Sequence, residues 1–207
     1  MKVSHLIIGL IIIVMSINSC SRKVMVRRYY ILESEAAFDT TAFKIETKLP
    51  YKLDVRDFRV ARAFDQTKIA LRSESNELNY YYYHYWAMRP NIAISDFVFE
   101  YIDSIGLFQS VSNEYSIEPD FLITGQVYSF ERVEKKKSSA AHIHATLQFI
   151  NGKSQAELLR YEFDRSELLK KDVDMNSFAI AMSKILQQEV EEFLRQIIQY
   201  FDSTKLN

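Results

Sequence analysis

The chain has 207 residues, 48% hydrophobic and 26% charged, with 26 Lys and Arg against 27 Asp and Glu. That near-neutral balance excludes the broad cationic footprint of a nucleic-acid-binding domain. A single cysteine excludes an internal disulfide, and only four glycines and three prolines leave no linker that would divide the chain.

Lys2 precedes an uncharged apolar run from Leu6 to Met15. At about ten residues it is well short of the roughly 20 needed for a membrane-spanning helix. A basic start, a short apolar core and small residues after it predict a secretory signal. Ile17-Asn18-Ser19 then leads into Cys20, the lone cysteine, and this stretch resembles the lipobox of bacterial lipoproteins. The resemblance implies cleavage before Cys20, a diacylglyceryl group on its thiol and a third chain on its new amino terminus. Several acyl chains together hold a protein firmly, whereas one binds only marginally. The expected organisation is residues 1–19 as signal peptide, 20–28 as lipidated terminus and tether, and 29–207 as one domain. Without residues 1–19 the chain keeps 25 basic and 27 acidic side chains, a formal charge of −2. The cations Arg22, Lys23, Arg27 and Arg28 read as a solvated tether, with contact to anionic head groups as the alternative. Ser21, non-acidic, is the residue type that accompanies outer-membrane sorting in enterobacterial lipoproteins.

Further along, Tyr51, Leu53 and Val55 alternate with Lys52, Asp54 and Arg56, the strand period. The phase then slips to Phe58 and Val60, which predicts a bulge. Ile69 and Leu71 mark a short strand. Leu78, Tyr80 and Tyr82 alternate with Asn79, Tyr81 and Tyr83 in the next. Residues 121–131 read as a strand apolar on both faces. Ala141 to Phe149 has one wet face carrying His142, His144, Thr146 and Gln148. A turn at Asn151-Gly152 predicts a hairpin into a last strand near 156–163.

Two helices are predicted. Ser95 is read as the cap of the first and Asp96 as favourable at its dipole end. Val98, Tyr101, Ile102, Ile105 and Phe108 form its stripe. The second spans 174–202 with an apolar stripe from Phe178 to Phe201. At 1.5 Å per residue it is a rod of roughly 40 Å, against about 20 Å for a typical strand. It is therefore expected to overhang its sheet, which makes a homo-oligomer a reasonable hypothesis. Strands and helices grouped in this way predict a single α+β domain, a mixed or antiparallel sheet with two helices packed on one face.

Trp86, between the tyrosine-rich strand and Pro90, reads as a core anchor or as a contact with lipid or a partner. Tyr81 and Tyr83 share one strand face and are candidates for the same contact, since tyrosine is enriched at interfaces. His142 and His144 are two apart on one face, but zinc usually needs at least three protein ligands, so no metal is assigned. Gly-x-Ser-x-Gly and Walker A loops are missing from the sequence, and no cofactor is assigned. Lys135-Lys136-Lys137 reads as a solvated hairpin tip, with a basic docking loop as the alternative.

Leu53-Asp-Val-Arg-Asp-Phe58, Lys68-Ile-Ala-Leu-Arg72, the Glu77–Trp86 segment, Pro90 and Gly106-Leu-Phe-Gln-Ser-Val111 come in a characteristic order. With Asp120-Phe-Leu-Ile-Thr-Gly-Gln-Val-Tyr-Ser-Phe130 they resemble the ABC-type transport auxiliary lipoprotein component family, the PqiC-like lipoproteins. The resemblance runs from about Tyr29 to Phe201. It implies a non-catalytic lipoprotein on the periplasmic face of the outer membrane. Its implied partners are a mammalian-cell-entry (MCE) domain protein and an ABC permease/ATPase complex that together move phospholipid. An envelope assembly scaffold and a secreted hydrolase are the alternatives.

Overall fold

A computed structural model describes residues 25–33, 48–114, 118–136, 138–170 and 173–205. In chain order these form β1 (Arg28–Tyr30), β2 (Leu49–Val55), β3 (Arg59–Val60), β4 (Lys68–Glu74), β5 (Glu77–Trp86) and α1 (Pro90–Ile105). There follow β6 (Phe108–Ser112), β7 (Phe121–Lys135), β8 (Ser138–Asn151), β9 (Glu157–Leu169) and α2 (Met175–Lys205).

Strand β7 is the spine of the sheet. One of its edges pairs antiparallel with β8 from Phe121↔Asn151 to Lys135↔Ser138, and β9 continues beyond β8. The other edge takes β2, β3 and β4 in succession, all parallel to β7. Outside these, β6 pairs parallel with β2, β5 pairs antiparallel with β4, and β1 pairs parallel with β5. The sheet is mixed, and both helices cover one face of it, as expected. The short β1 and β6 were not anticipated; three and five residues carry too little periodicity to read.

The phase slip after Val55 is real. Val55 sits opposite Ile123 and Arg59 opposite Gln126, so this edge advances one residue more than β7. The extra residue lets Val55 and Phe58 both point inward, each 2% exposed. Gly125 makes this possible: a Cβ there would lie 2.5 Å from the Phe58 ring and 2.4 Å from the Thr146 carbonyl oxygen. The alternation read through the tyrosine run is broken. Pairing jumps from Ala70↔Tyr80 to Lys68↔Tyr85, so five residues of β5 advance against two of β4.

Helix α1 starts earlier than expected. Pro90 opens it, where a missing N–H is harmless and the fixed φ suits a helix. Arg89 before it is extended, as a residue preceding proline prefers. Ser95 is therefore no cap. It lies inside the helix, where its hydroxyl donates to the Asn91 carbonyl at 2.7 Å and accepts the Phe58 N–H at 2.9 Å. Gly106, at φ 68°, ends the helix in the left-handed conformation that glycine adopts freely.

Helix α2 is capped by Asp174, whose carboxylate accepts the N–H groups of Asn176 and Ser177 at 2.8 and 3.0 Å. Its stripe of Phe178, Met182, Ile185, Leu186, Val190, Phe193, Ile197 and Phe201 is at most 6% exposed throughout. The expected overhang does not occur. Strands β7, β8 and β9 have 15, 14 and 13 residues, about 43 to 50 Å at 3.3 Å per residue. The helix of 31 residues is about 46 Å long. Strands more than twice the usual length cover the whole stripe, so the oligomer argument drawn from an overhang falls away.

Candidate functional site

Cys20, the expected anchor, lies outside the described residues. The described chain begins at Met25 and enters the sheet as β1, at the edge beside β5. Among the described residues, no helix is long and apolar enough to cross a membrane.

The β1–β5 pairing sorts the aromatic residues of this edge. Tyr30 sits opposite Trp86 and faces the helices, whereas Tyr29 sits opposite Tyr85 and faces away from them. Trp86 belongs to the core: it is 2% exposed, with ring centroids 5.0 Å from Phe130 and 5.9 Å from Phe178. The contact role considered for it is thereby corrected, because its position at the end of β5 turns the indole under α2. Tyr81 is half-buried and donates its hydroxyl to Glu134 Oε1 at 2.9 Å. Burial, then that bond, push its phenol well above the usual tyrosine range. Tyr83 is half-buried, its ring 4.7 Å from Tyr82.

The residues that face outward are others. Tyr82 is 71% and Tyr29 59% exposed. Tyr29 and Tyr85 lie 5.6 Å apart, and the Arg27 guanidinium sits over Tyr85 at 5.7 Å. Lys68 Nζ lies over Tyr82 at 6.0 Å, and Tyr85 donates its hydroxyl to the Tyr82 carbonyl at 3.0 Å. Met25, Val26 and Ile31, near Tyr29 in the chain, are exposed as well. This cation–aromatic surface was missed because its residues come from β1, β4 and β5. The shared parity of Arg27, Tyr29 and Ile31 was the one local sign.

A second polar cluster lies on the helix-free face. Glu131 is 1% exposed and accepts from Arg72 Nε at 2.8 Å. His142 places Nδ1 3.4 Å from Glu131 Oε1 and Nε2 2.9 Å from Asp164 Oδ1. The imidazolium form satisfies both carboxylates. Glu131 accordingly holds His142 above its ordinary value, against burial and with help from Asp164. Burial alone would raise Glu131, but His142 and Arg72 together bring it below the usual carboxylate range. A cavity of about 270 Å³ opens beside them, lined also by Lys135, Ser138, Ser139 and Ser166. The histidines are not gathered: His144 bonds Glu162 at 2.9 Å, and His84 Nδ1 is hydrogen-bonded to the Tyr30 hydroxyl at 2.8 Å. Among the described residues no group of three or more His, Cys, Asp or Glu could hold a metal ion.

A mixed sheet with two helices on one face defines an α+β domain, and solved structures share it. Protein XCC0632 from Xanthomonas campestris superposes with a TM-score of 0.73 at 19% identity, covering 87% of this chain and 99% of that one. A crystal structure of an uncharacterized protein gives 0.59 at 12% identity, covering 83% and 99%. No curated protein matches the chain. The model of the ABC-type transport auxiliary lipoprotein component family matches residues 30–193, and the chain belongs to that family.

Proposed function

We propose that this protein is a non-catalytic lipoprotein of the cell envelope, anchored through lipid on Cys20, that serves an ABC transport system. The observation that carries the reading is the family match, which begins at Tyr30, ten residues after Cys20. The anchor needs no transmembrane helix, because several acyl chains suffice. The fuller reading places the domain on the periplasmic face of the outer membrane. There it docks an MCE-domain protein served by an ABC permease and ATPase, in a system that moves phospholipid.

The test is affinity purification of the tagged protein from native membranes, with a fatty-acid probe fed to the cells. The expected result is probe on the native protein, none on Cys20→Ser, and an MCE-domain protein with permease and ATPase in the eluate. Recovery of envelope assembly proteins without ABC components would replace the transport reading with the scaffold one. A probe-negative native protein would remove the anchor.

A further inference from the structure

We propose that the cation–aromatic surface on β1, β4 and β5 lies directly on the anionic head groups of the membrane that holds Cys20. The inference rests on the lipid anchor proposed above and goes beyond it: the sequence alone favours a solvated tether, whereas the structure gives the edge a membrane-facing side.

Three observations carry it. The first is reach. Met25 is the fifth residue after Cys20, at most about 18 Å of fully extended chain away. Strand β1 follows at once, so the anchor draws this edge of the sheet toward the bilayer.

The second is charge. Between Cys20 and Leu32 there are four cations, Arg22, Lys23, Arg27 and Arg28, and no acid. Lys68 joins Arg27 on the same face, each over a tyrosine ring. Between Tyr80 and Arg89 there is again no Asp or Glu. Anionic lipid attracts such clusters only within about a Debye length, and a tether this short lets the surface settle that close without crossing a wide gap of water.

The third is side-chain chemistry. Tyr29 and Tyr82 are the most exposed rings of this edge, and Met25, Val26 and Ile31, near Tyr29 in the chain, are exposed as well. Tyrosine rings settle at head-group depth because one end is apolar and the other polar. Arginine and lysine stems bury along apolar surface while their charges stay in water. Alternating rings and cations thus match the interface itself, which is neither bulk water nor hydrocarbon.

The acylated protein is reconstituted in vesicles containing about 30% phosphatidylglycerol. Once Cys20 is acylated, a cysteine introduced at Tyr82 is the sole free thiol. It takes an environment-sensitive fluorophore, and the vesicles carry head-group nitroxide lipids as quencher. Glu162→Cys, on β9 at the far edge of the sheet, is the control. Quenching at position 82 is expected to exceed that at 162 several-fold. In an Arg27→Glu, Arg28→Glu, Lys68→Glu background, or in purely phosphatidylcholine vesicles, the excess is expected to vanish. With acylation of Cys20 verified by mass spectrometry, equal quenching at 82 and 162 overturns the proposal while leaving the anchor intact. So does a position-82 label shielded only when the ABC complex is added, which assigns the surface to a protein partner. An unacylated Cys20 defeats the anchor reading and this placement together.

Discussion

Glu131 and His142 face each other directly across the β7–β8 ladder, with Oε1 and Nδ1 3.4 Å apart. A nearly inaccessible carboxylate and a half-buried imidazole therefore share one electrostatic environment, completed by Arg72 and Asp164. Because Glu131 holds His142 above its unfolded value of 6.5, proton uptake favours the folded state. Its contribution is complete below that value and is lost as pH rises through the folded-state pKa. His84 has the opposite sign. Burial first, then Arg28 and Arg132, hold it low, so its contribution is present above pH 6.5 and lost as pH falls through its depressed value.

Urea midpoints measured from pH 5 to 8.5 are expected to separate the two. His142→Gln should flatten the decline in stability above pH 6.5, and His84→Gln the decline below it. An unchanged slope above pH 6.5 in His142→Gln would refute the assignment of that window to the Glu131–His142 pair.

Arg72→Ala leaves Glu131 buried with His142 as its remaining cationic partner. Breaking a buried ion pair by removing one member costs about 3–5 kcal/mol. Arg72 is 28% exposed, which places the expected loss nearer about 2–3 kcal/mol. The loss should be larger at pH 8.5 than at pH 5.5, because His142 holds its proton less at the higher pH. Denaturant titration at the two pH values checks this.

Trp86→Ala should cost about 3–5 kcal/mol, the usual range for emptying a large aromatic site. The indole packs on both Phe130 and Phe178. Tyr82→Ala, at 71% exposure, should stay within about 0.5 kcal/mol of the parent. Far-UV circular dichroism is the suitable probe, since the first substitution removes the only tryptophan.

Gly125→Ala should destabilise by about 1–3 kcal/mol, the range for overpacking. The new methyl meets both the Phe58 ring and the Thr146 carbonyl oxygen. Phe58→Leu with Gly125→Ala should cost less than the two single changes summed, because only the ring can move aside. Strict additivity in thermal melts would show that the ring does not set the requirement for glycine.

Elements with a long, uninterrupted period can be read from the chain alone. Helix α2 is legible from Phe178 to Phe201, and the β8–β9 hairpin from its alternation and from Asn151-Gly152. The inserted residue after Val55 shows as a change of parity, and the family is recognisable from motifs in order. In each case neighbours along the chain carry the signal. Contacts between partners distant in the chain became known only with the fold. Asp54 alternates like a solvent-facing residue, yet it is 0% exposed and lies 2.8 Å from Arg56, in a strand that is internal to the sheet, with β6 paired on one side and β7 on the other. Trp86 and Tyr82 are equally aromatic and four residues apart, yet the broken register of β5 sends one inward and the other out. Periodicity states that a strand has two faces; which face meets a helix, and which meets water or a membrane, depends on pairings made across dozens of residues.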